Sequence, residues 1–320
     1  MITVTAETFR LAQVFTIARG SKVAAQVLTV AIARGGITGR GECVPYARYG
    51  ETLDTVTAQI ASLPADITRD ALQHALPPGA ARNAVDCALW DHAAKAAGQR
   101  VWQLAGLAAP RPLITAYTLS LNTPDAMRAQ AALHAHRPIL KIKLGTPDDM
   151  PRLEAVRQGA PRSTLIIDAN EGWSPEVYTD LAPHLIAAGV ALVEQPLPAG
   201  ADDMLGEIAR PLPVCADESC FDRASLPGLV GKYDMVNIKL DKTGGLTEGL
   251  ATRDTALQMG FGVMVGCMVG TSLAMAPAVL LAQGAAYTDL DGPLLLAEDR
   301  DNPLAYDDHG VHPPDLALWG

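Results

Sequence analysis

Five short strings in this chain of 320 residues carry side chains suited to chemistry: Lys141-Ile142-Lys143, Asp168-Ala169-Asn170, Glu194-Gln195-Pro196, Asp217-Glu218-Ser219 and Asn237-Ile238-Lys239. Hard divalent cations take oxygen ligands, and Mg²⁺ accepts a few carboxylates in an octahedron completed by water or substrate. Asp168, Glu194 and Asp217, one per string, fit that requirement. Any one of them alone could simply cap a helix N-terminus, but three in successive strings favour a metal. Lys141 and Lys143 are two apart, so on a strand they share a face. Burying two ammonium groups side by side is costly unless they meet anions or lose a proton. With Lys239 beyond the carboxylates, lysines approach a central ligand from two sides, which suits moving a proton from one face of a carbon to the other. A lysine base needs its pKa lowered from about 10.4 toward about 7–8, and a neighbouring lysine and a divalent cation can do this. Lys242 has a plainer reading, a packed stem with its head snorkelling outward.

Such residues must be brought together by regular elements. After residue 112 the chain repeats short apolar runs that end in polar residues and precede helical stretches. The runs are Leu113–Thr118, Leu140–Lys143, Leu165–Asp168, Ala191–Glu194, Val214–Asp217, Val236–Lys239, Val263–Gly266 and Tyr287–Asp289. Their ends are spaced by 22 to 27 residues, about the size of one βα unit, and eight such units predict a parallel α/β barrel. The carboxyl ends of barrel strands converge on one mouth, which would gather all five strings. Residues 1–111 read differently. Alternation at Thr3–Thr5 and Val27–Ile32, around the turn Arg19-Gly20-Ser21, predicts antiparallel strands. Apolar residues at three- and four-residue intervals predict an amphipathic helix over 80–97, stopping near Gly98.

Composition narrows the class. Hydrophobic residues make up 49% and charged residues 19%, which argues for a packed core and against disorder. A formal charge of −10 without a basic run argues against nucleic acid or an anionic membrane as partner. The five cysteines lack metal or disulfide spacing, and the N-terminus lacks a signal-peptide pattern; a cytoplasmic protein is expected. The stretch Met259–Ala282 is apolar, yet glycines and Pro277 interrupt it, so it reads as a buried strand, a loop and a buried helix rather than a membrane span. His134-Ala135-His136 reads as part of a solvated helix. Of the 25 basic residues only seven are lysines.

Lys-x-Lys, Asp-Ala-Asn, Glu-Gln-Pro, Ala-Asp-Glu-Ser and Asn-Ile-Lys, in this order and spacing, resemble the enolase superfamily and its muconate-lactonizing subgroup over essentially the whole chain. The resemblance implies a modified (β/α)8 TIM-like barrel, (β/α)7β, over 112–296, and an α+β capping domain over 1–111 completed by about 297–320. It further implies one Mg²⁺ per subunit on Asp168, Glu194 and Asp217, acid/base roles for Lys143 and Lys239, and Lys141 assisting at the substrate carboxylate. An α-proton beside a carboxylate is abstracted only when the developing dianion, an enediolate, is stabilised by charges already in place.

Two more features bear on the substrate, since the fold does not choose it. The string Asp289-Leu290-Asp291 resembles the signature of dipeptide epimerases, where the carboxylates bind the ammonium of the N-terminal residue; a polar turn before Gly292-Pro293 is the alternative. Phe15–Ser21 resembles the loop of L-Ala-D/L-Glu epimerases, which implies that Arg19 receives the carboxylate of the Glu side chain; a solvated turn arginine is the alternative. Thr118 and Met268 fall at strand ends and would line the pocket. The expectation is a Mg²⁺-dependent isomerase acting on a small dipeptide, a role that fits recycling of cell-wall peptides, with a homo-oligomer left open. The alternatives are o-succinylbenzoate synthase or N-succinylamino acid racemase chemistry, and a non-catalytic metal-binding barrel.

Overall fold

The computed structural model describes residues 1–146 and 149–320. Three strands, β1 (Ile2–Ile17), β2 (Gly20–Arg34) and β3 (Ile37–Cys43), form an antiparallel sheet in chain order. The strands are longer than the alternation around Thr3–Thr5 and Val27–Ile32 suggests. Pairing runs from Ile2 opposite Ile32 to Ile17 opposite Gly20, with one irregularity between Arg10 and Phe15. Leu28, Val30 and Ile32 pack on α1 (Leu53–Ala61), α2 (Arg69–Ala75) and α3 (Ala80–Ala97).

Helix α3 spans the expected residues and ends on Gly98 in the left-handed region. Its expected amphipathic character is absent: every residue from Ala80 to Asp91 is buried. The reason is tertiary. One side lies on the sheet, while on the other Asn83 bonds Asp241 and Trp90 bonds Thr247. A Cβ on Gly41 of β3 would stand 2.2 Å from the carbonyl oxygen of Ala84. Gly41→Ala must therefore push the helix off the sheet, and is expected to cost about 1–3 kcal/mol, read as a lower urea midpoint; an unchanged midpoint would contradict this packing.

After α4 (Val101–Leu104) the chain enters a parallel eight-stranded sheet ordered strictly by sequence: β4 (Tyr117–Leu119), β5 (Ile139–Lys143), β6 (Thr164–Asp168), β7 (Val190–Glu194), β8 (Val214–Ala216), β9 (Met235–Ile238), β10 (Gly262–Gly266) and β11 (Tyr287–Asp289). The Ala116 amide donates to the Thr288 carbonyl at 2.8 Å, so the two edges meet in a nearly closed barrel. Outside it lie α5 (Pro124–Leu133), α6 (Met150–Gly159), α7 (Pro175–Ala187), α8 (Leu240–Thr243), α9 (Leu246–Gln258) and α10 (Ser272–Leu281).

Seven of the eight expected runs lie on the observed strands to within one or two residues. The first does not: Leu113 leaves the barrel to pair with Val311, which belongs to β13 (Gly310–Val311), the partner of β12 (Tyr306–Asp307). The expected helices after β7 and β8 are also corrected. Short 3₁₀ segments, Asp203–Gly206 and Arg223–Leu229, stand there, in stretches punctuated by Pro198, Pro211, Pro213 and Pro227, which remove helical donors. The uncharged stretch resolves into β10, a loop and α10, all ten of whose residues are buried. Among the described residues no helix is long and apolar enough to cross a membrane. His134 is not within a solvated helix but caps the end of α5. Its ring stacks 3.9 Å from Tyr117, and burial, with Arg137 nearby, pushes its imidazole down to about 4.

The C-terminus returns to the N-terminal elements. The Trp319 indole donates to the Cys87 carbonyl, the Gly320 amide to Asp91, and Arg40 to the Leu318 carbonyl.

Candidate active site at the carboxyl ends of the barrel strands

Two-residue periodicity positions the chemistry. Ile166, Leu192, Cys215, Met235 and Met264, with Ile139 against them, form an apolar floor inside the barrel. Two residues further along the same strands, on the same face, come Lys141, Asp168, Glu194, Asp217, Asn237 and Gly266. One more step of two adds Lys143 and Lys239. Gly266 leaves room here, because a Cβ would stand 2.7 Å from Asn237 Oδ1.

Asp168, Glu194 and Asp217 are buried, and one oxygen of each lies within 4.8 Å of the others. Each carboxylate is held by one oxygen and meets a lysine with the other. Asp168 Oδ1 accepts the Asn170 amide at 2.9 Å and Glu194 Oε1 accepts Asn237 Nδ2 at 2.7 Å. Asp168 Oδ2 lies 2.6 Å from Lys143 Nζ and 3.1 Å from Lys141 Nζ. Glu194 Oε2 lies 2.6 Å from Lys141 Nζ, but with no donor hydrogen aligned on it. Asp217 Oδ2 accepts Lys239 Nζ at 2.6 Å.

Burial opposes ionisation of Asp168, but Lys143 and Lys141 outweigh it and hold that carboxyl below the usual range. Burial of Asp217 is likewise outweighed by Lys239 and Lys242. Glu194 goes the other way: burial, with Asp168 beside it, pushes it up to about 7. The lysines show the reciprocal effect. Burial disfavours their charge, yet Asp289 and Glu194 hold Lys141, and Asp217 and Glu194 hold Lys239, above the usual range. At Lys239 the lowered pKa expected from the sequence is therefore not a property of the protein charges alone, because Asp217 and Glu194 outweigh both burial and the repulsion from Lys141.

This donor set fits Mg²⁺. Three hard carboxylates converge, one oxygen of each is anchored by a hydrogen bond, and Glu194 Oε2 is a buried acceptor that no hydrogen bond satisfies.

Through Asp217 the triad reaches the wall of a cavity of about 460 Å³, which also includes Arg19, Thr118, Lys141, Lys143, Lys239, Met268, Asp289 and Asp291. Every candidate residue outside the triad thus lines one space. Asp289 Oδ2 accepts Lys141 at 2.8 Å while its Oδ1 has no donor. Asp291 Oδ2 accepts the Thr118 amide at 2.6 Å, and burial, with Asp289 alongside, pushes Asp291 up to about 6. Arg19, on the β1–β2 turn, donates to Glu218 Oε1 at 2.6 Å, to Glu171 Oε2 at 2.9 Å and to the Asn170 carbonyl. These acidic partners of Arg19 were not foreseen. Glu218 stands next to a foreseen ligand, but nothing in the string indicates that it reaches the hairpin.

Lys242 corrects its sequence reading. Its head does not snorkel: the side chain is fully buried, and Nζ donates to Asp217 Oδ1 at 2.7 Å, to the Asp217 carbonyl at 2.5 Å and to the Asn237 carbonyl at 2.9 Å. Gln195 was also missed. Buried, with φ 36°, it accepts the Asp217 and Ser219 amides on Oε1 and donates through Nε2 to Ser219 and Tyr233.

Residues 1–106 match the mandelate racemase / muconate lactonizing enzyme N-terminal domain, and residues 126–317 the enolase C-terminal domain-like family. The chain is 47% identical to the L-Ala-D/L-Glu epimerase of Escherichia coli (strain K12), over 93% of this chain and 95% of that protein. It is 46% identical to the N-acetyl-D-glutamate racemase of a Pseudoalteromonas species, over 92% and 95%. Its fold superposes with a TM-score of 0.98, at 53% identity and over 100% and 99% of the two chains, on an enolase family member from Agrobacterium tumefaciens with homology to dipeptide epimerases, solved with sodium and L-Ala-L-Glu. A dipeptide epimerase from Cytophaga hutchinsonii, complexed with Mg and D-Ala-L-Val, superposes at 0.91 with 27% identity, over 98% and 94%. With both domains matched and these relatives at near half identity, the chain belongs to the mandelate racemase / muconate lactonizing enzyme family, as an isomerase of the racemase and epimerase type.

Proposed function

We propose that this protein is a Mg²⁺-dependent dipeptide epimerase that inverts the α-carbon of the C-terminal residue, with L-Ala-L-Glu and L-Ala-D-Glu as its substrate pair. The observation that carries the reading is one cavity lined by Lys143, Lys239, Asp289 and Asp291. Two amines suited to opposite faces of a carbon share it with two carboxylates suited to an ammonium. Asp168, Glu194 and Asp217 would hold Mg²⁺, which would supply positive charge to offset the negative charge that grows on the substrate as the α-proton leaves. Lys141, buried among Asp168, Glu194 and Asp289, adds a fixed cation on the same side. One of Lys143 and Lys239 takes the proton and the other returns one to the opposite face. Asp289 and Asp291 hold the N-terminal ammonium and so register the α-carbon between the lysines. Arg19 offers its guanidinium to the Glu side chain by exchanging Glu171 or Glu218 for the substrate.

A second reading, racemisation of N-acyl glutamate, is favoured by the 46% identical N-acetyl-D-glutamate racemase. An N-acyl substrate has no ammonium for Asp289 and Asp291. The protein would be incubated with Mg²⁺ in D₂O with dipeptides and N-acyl amino acids while α-proton exchange is followed by NMR. Exchange is expected with L-Ala-L-Glu. Asp291→Asn, which keeps an acceptor for the Thr118 amide, is expected to lower dipeptide kcat/KM by about 10–100-fold, the worth of a hydrogen bond to a charged group. Exchange confined to N-acyl compounds would sink the dipeptide reading.

A further inference from the structure

The carboxylates of the triad share a design: one oxygen is anchored by a framework donor and the other faces the lysines of the mouth. For Asp168 and Glu194 the anchors are neutral, the Asn170 amide and the Asn237 side chain. For Asp217 the anchor is a cation, Lys242. A lysine has three donors, and all three of Lys242 are committed, two to Asp217 and one to the backbone of Asn237, the residue that anchors Glu194. No exposed surface remains on its side chain. A buried ammonium with three acceptors cannot rotate away without leaving donors unpaired, which is costly for a charged group. It is a rigid fixture rather than a mobile acid or base.

We propose that Lys242 is a positioning residue of the metal centre. It pins Asp217 Oδ1 away from the centre, turns Oδ2 toward it, and through Asn237 sets the relative placement of Asp217 and Glu194. The proposal rests on the reading of the triad as a Mg²⁺ site. Two effects of the same residue pull in opposite directions, which makes the test decisive. As a nearby positive charge Lys242 repels a cation, so removing it should tighten binding. As a clamp it holds a ligand in place, so removing it should weaken binding, by about 10–100-fold for a group that orients a metal ligand.

Mg²⁺ binding to the metal-stripped protein would be measured by calorimetry for the wild type, Lys242→Met and Lys242→Gln, with near-ultraviolet circular dichroism confirming the fold. Lys242→Met, similar in length and without a donor, is expected to raise the Kd for Mg²⁺ at least 10-fold. Lys242→Gln, which keeps a donor, is expected to fall between. An equal or lower Kd in folded Lys242→Met overturns the proposal and leaves Lys242 as core filler or bare charge. A wild type that takes up no Mg²⁺ overturns the metal reading itself, and the clamp with it. If neither variant folds, the unaltered protein still decides. The ¹⁵Nζ resonances of its seven lysines would be followed during Mg²⁺ addition. The ammonium of Lys242, assigned through its nuclear Overhauser contacts with Asn237, is expected to stay exchange-protected while that of Lys239 changes, and loss of protection at Lys242 overturns the clamp.

Discussion

Lys143→Ala and Lys239→Ala are each expected to lose net epimerisation by about 10³–10⁴-fold, toward the upper end of what a positioned acid or base contributes. The two variants should differ in what they retain. Each lysine addresses one face of the α-carbon, so a protein left with one amine can still exchange the α-proton of one stereoisomer in D₂O without converting it into the other. Lys143→Ala and Lys239→Ala should therefore show opposite stereoisomer preferences in residual exchange, read by NMR. Arginine at either position should not rescue, because a guanidinium does not release its proton near neutrality. Full activity in both variants would end the two-base mechanism.

Metal removal and ligand removal are expected to separate. Chelated wild-type protein should lose activity, regain it with Mg²⁺, and keep its fold, because Lys141, Lys143 and Lys239 lie within ion-pair distance of the facing oxygens and offset their charge. Asp217→Ala should lose activity beyond rescue by Mg²⁺ and also lose about 3–5 kcal/mol of stability, since removing one partner of a buried ion pair leaves uncompensated charge. Here two ammonium groups, Lys239 and Lys242, lose a carboxylate at once. Chemical denaturation with and without EDTA checks both points. An active EDTA-treated enzyme would contradict metal dependence, and an Asp217→Ala variant as stable as the wild type would contradict the ion-pair account.

Much of the site was legible because a barrel strand writes its face in alternate residues. Ile166 before Asp168, Leu192 before Glu194 and Met235 before Asn237 mark floor then mouth, and a spacing of 22 to 27 residues sets the unit that repeats them. Where the local signal failed, a distant partner had intervened. Leu113 has the apolar character of a strand start, but Val311 claimed it. Residues 80–97 have helical periodicity, but Ala80–Asp91 are enclosed by sheet and barrel on all faces, so burial does not follow the pattern.

The four lysines near the site separate what each level decides. Their residue type, and the i, i+2 spacing of Lys141 and Lys143, are written in the sequence and already select amines over guanidinium groups where a proton must move. Which carboxylate each amine meets is decided only by the closed barrel. Lys242 is three residues from Lys239 and chemically identical to it, yet Lys239 faces the cavity while Lys242 is locked onto Asp217 and two backbone carbonyls. Lys239 precedes α8 with extended backbone while Lys242 stands within the helix, which sets their different directions, but only packing encloses Lys242 completely and supplies its three acceptors. Local sequence thus determined which groups could do chemistry and on which strands they stand. The tertiary structure decided which are anchors and which are free to act, because that depends above all on Asp217, which lies 22 positions from Lys239 and 25 from Lys242 in the chain.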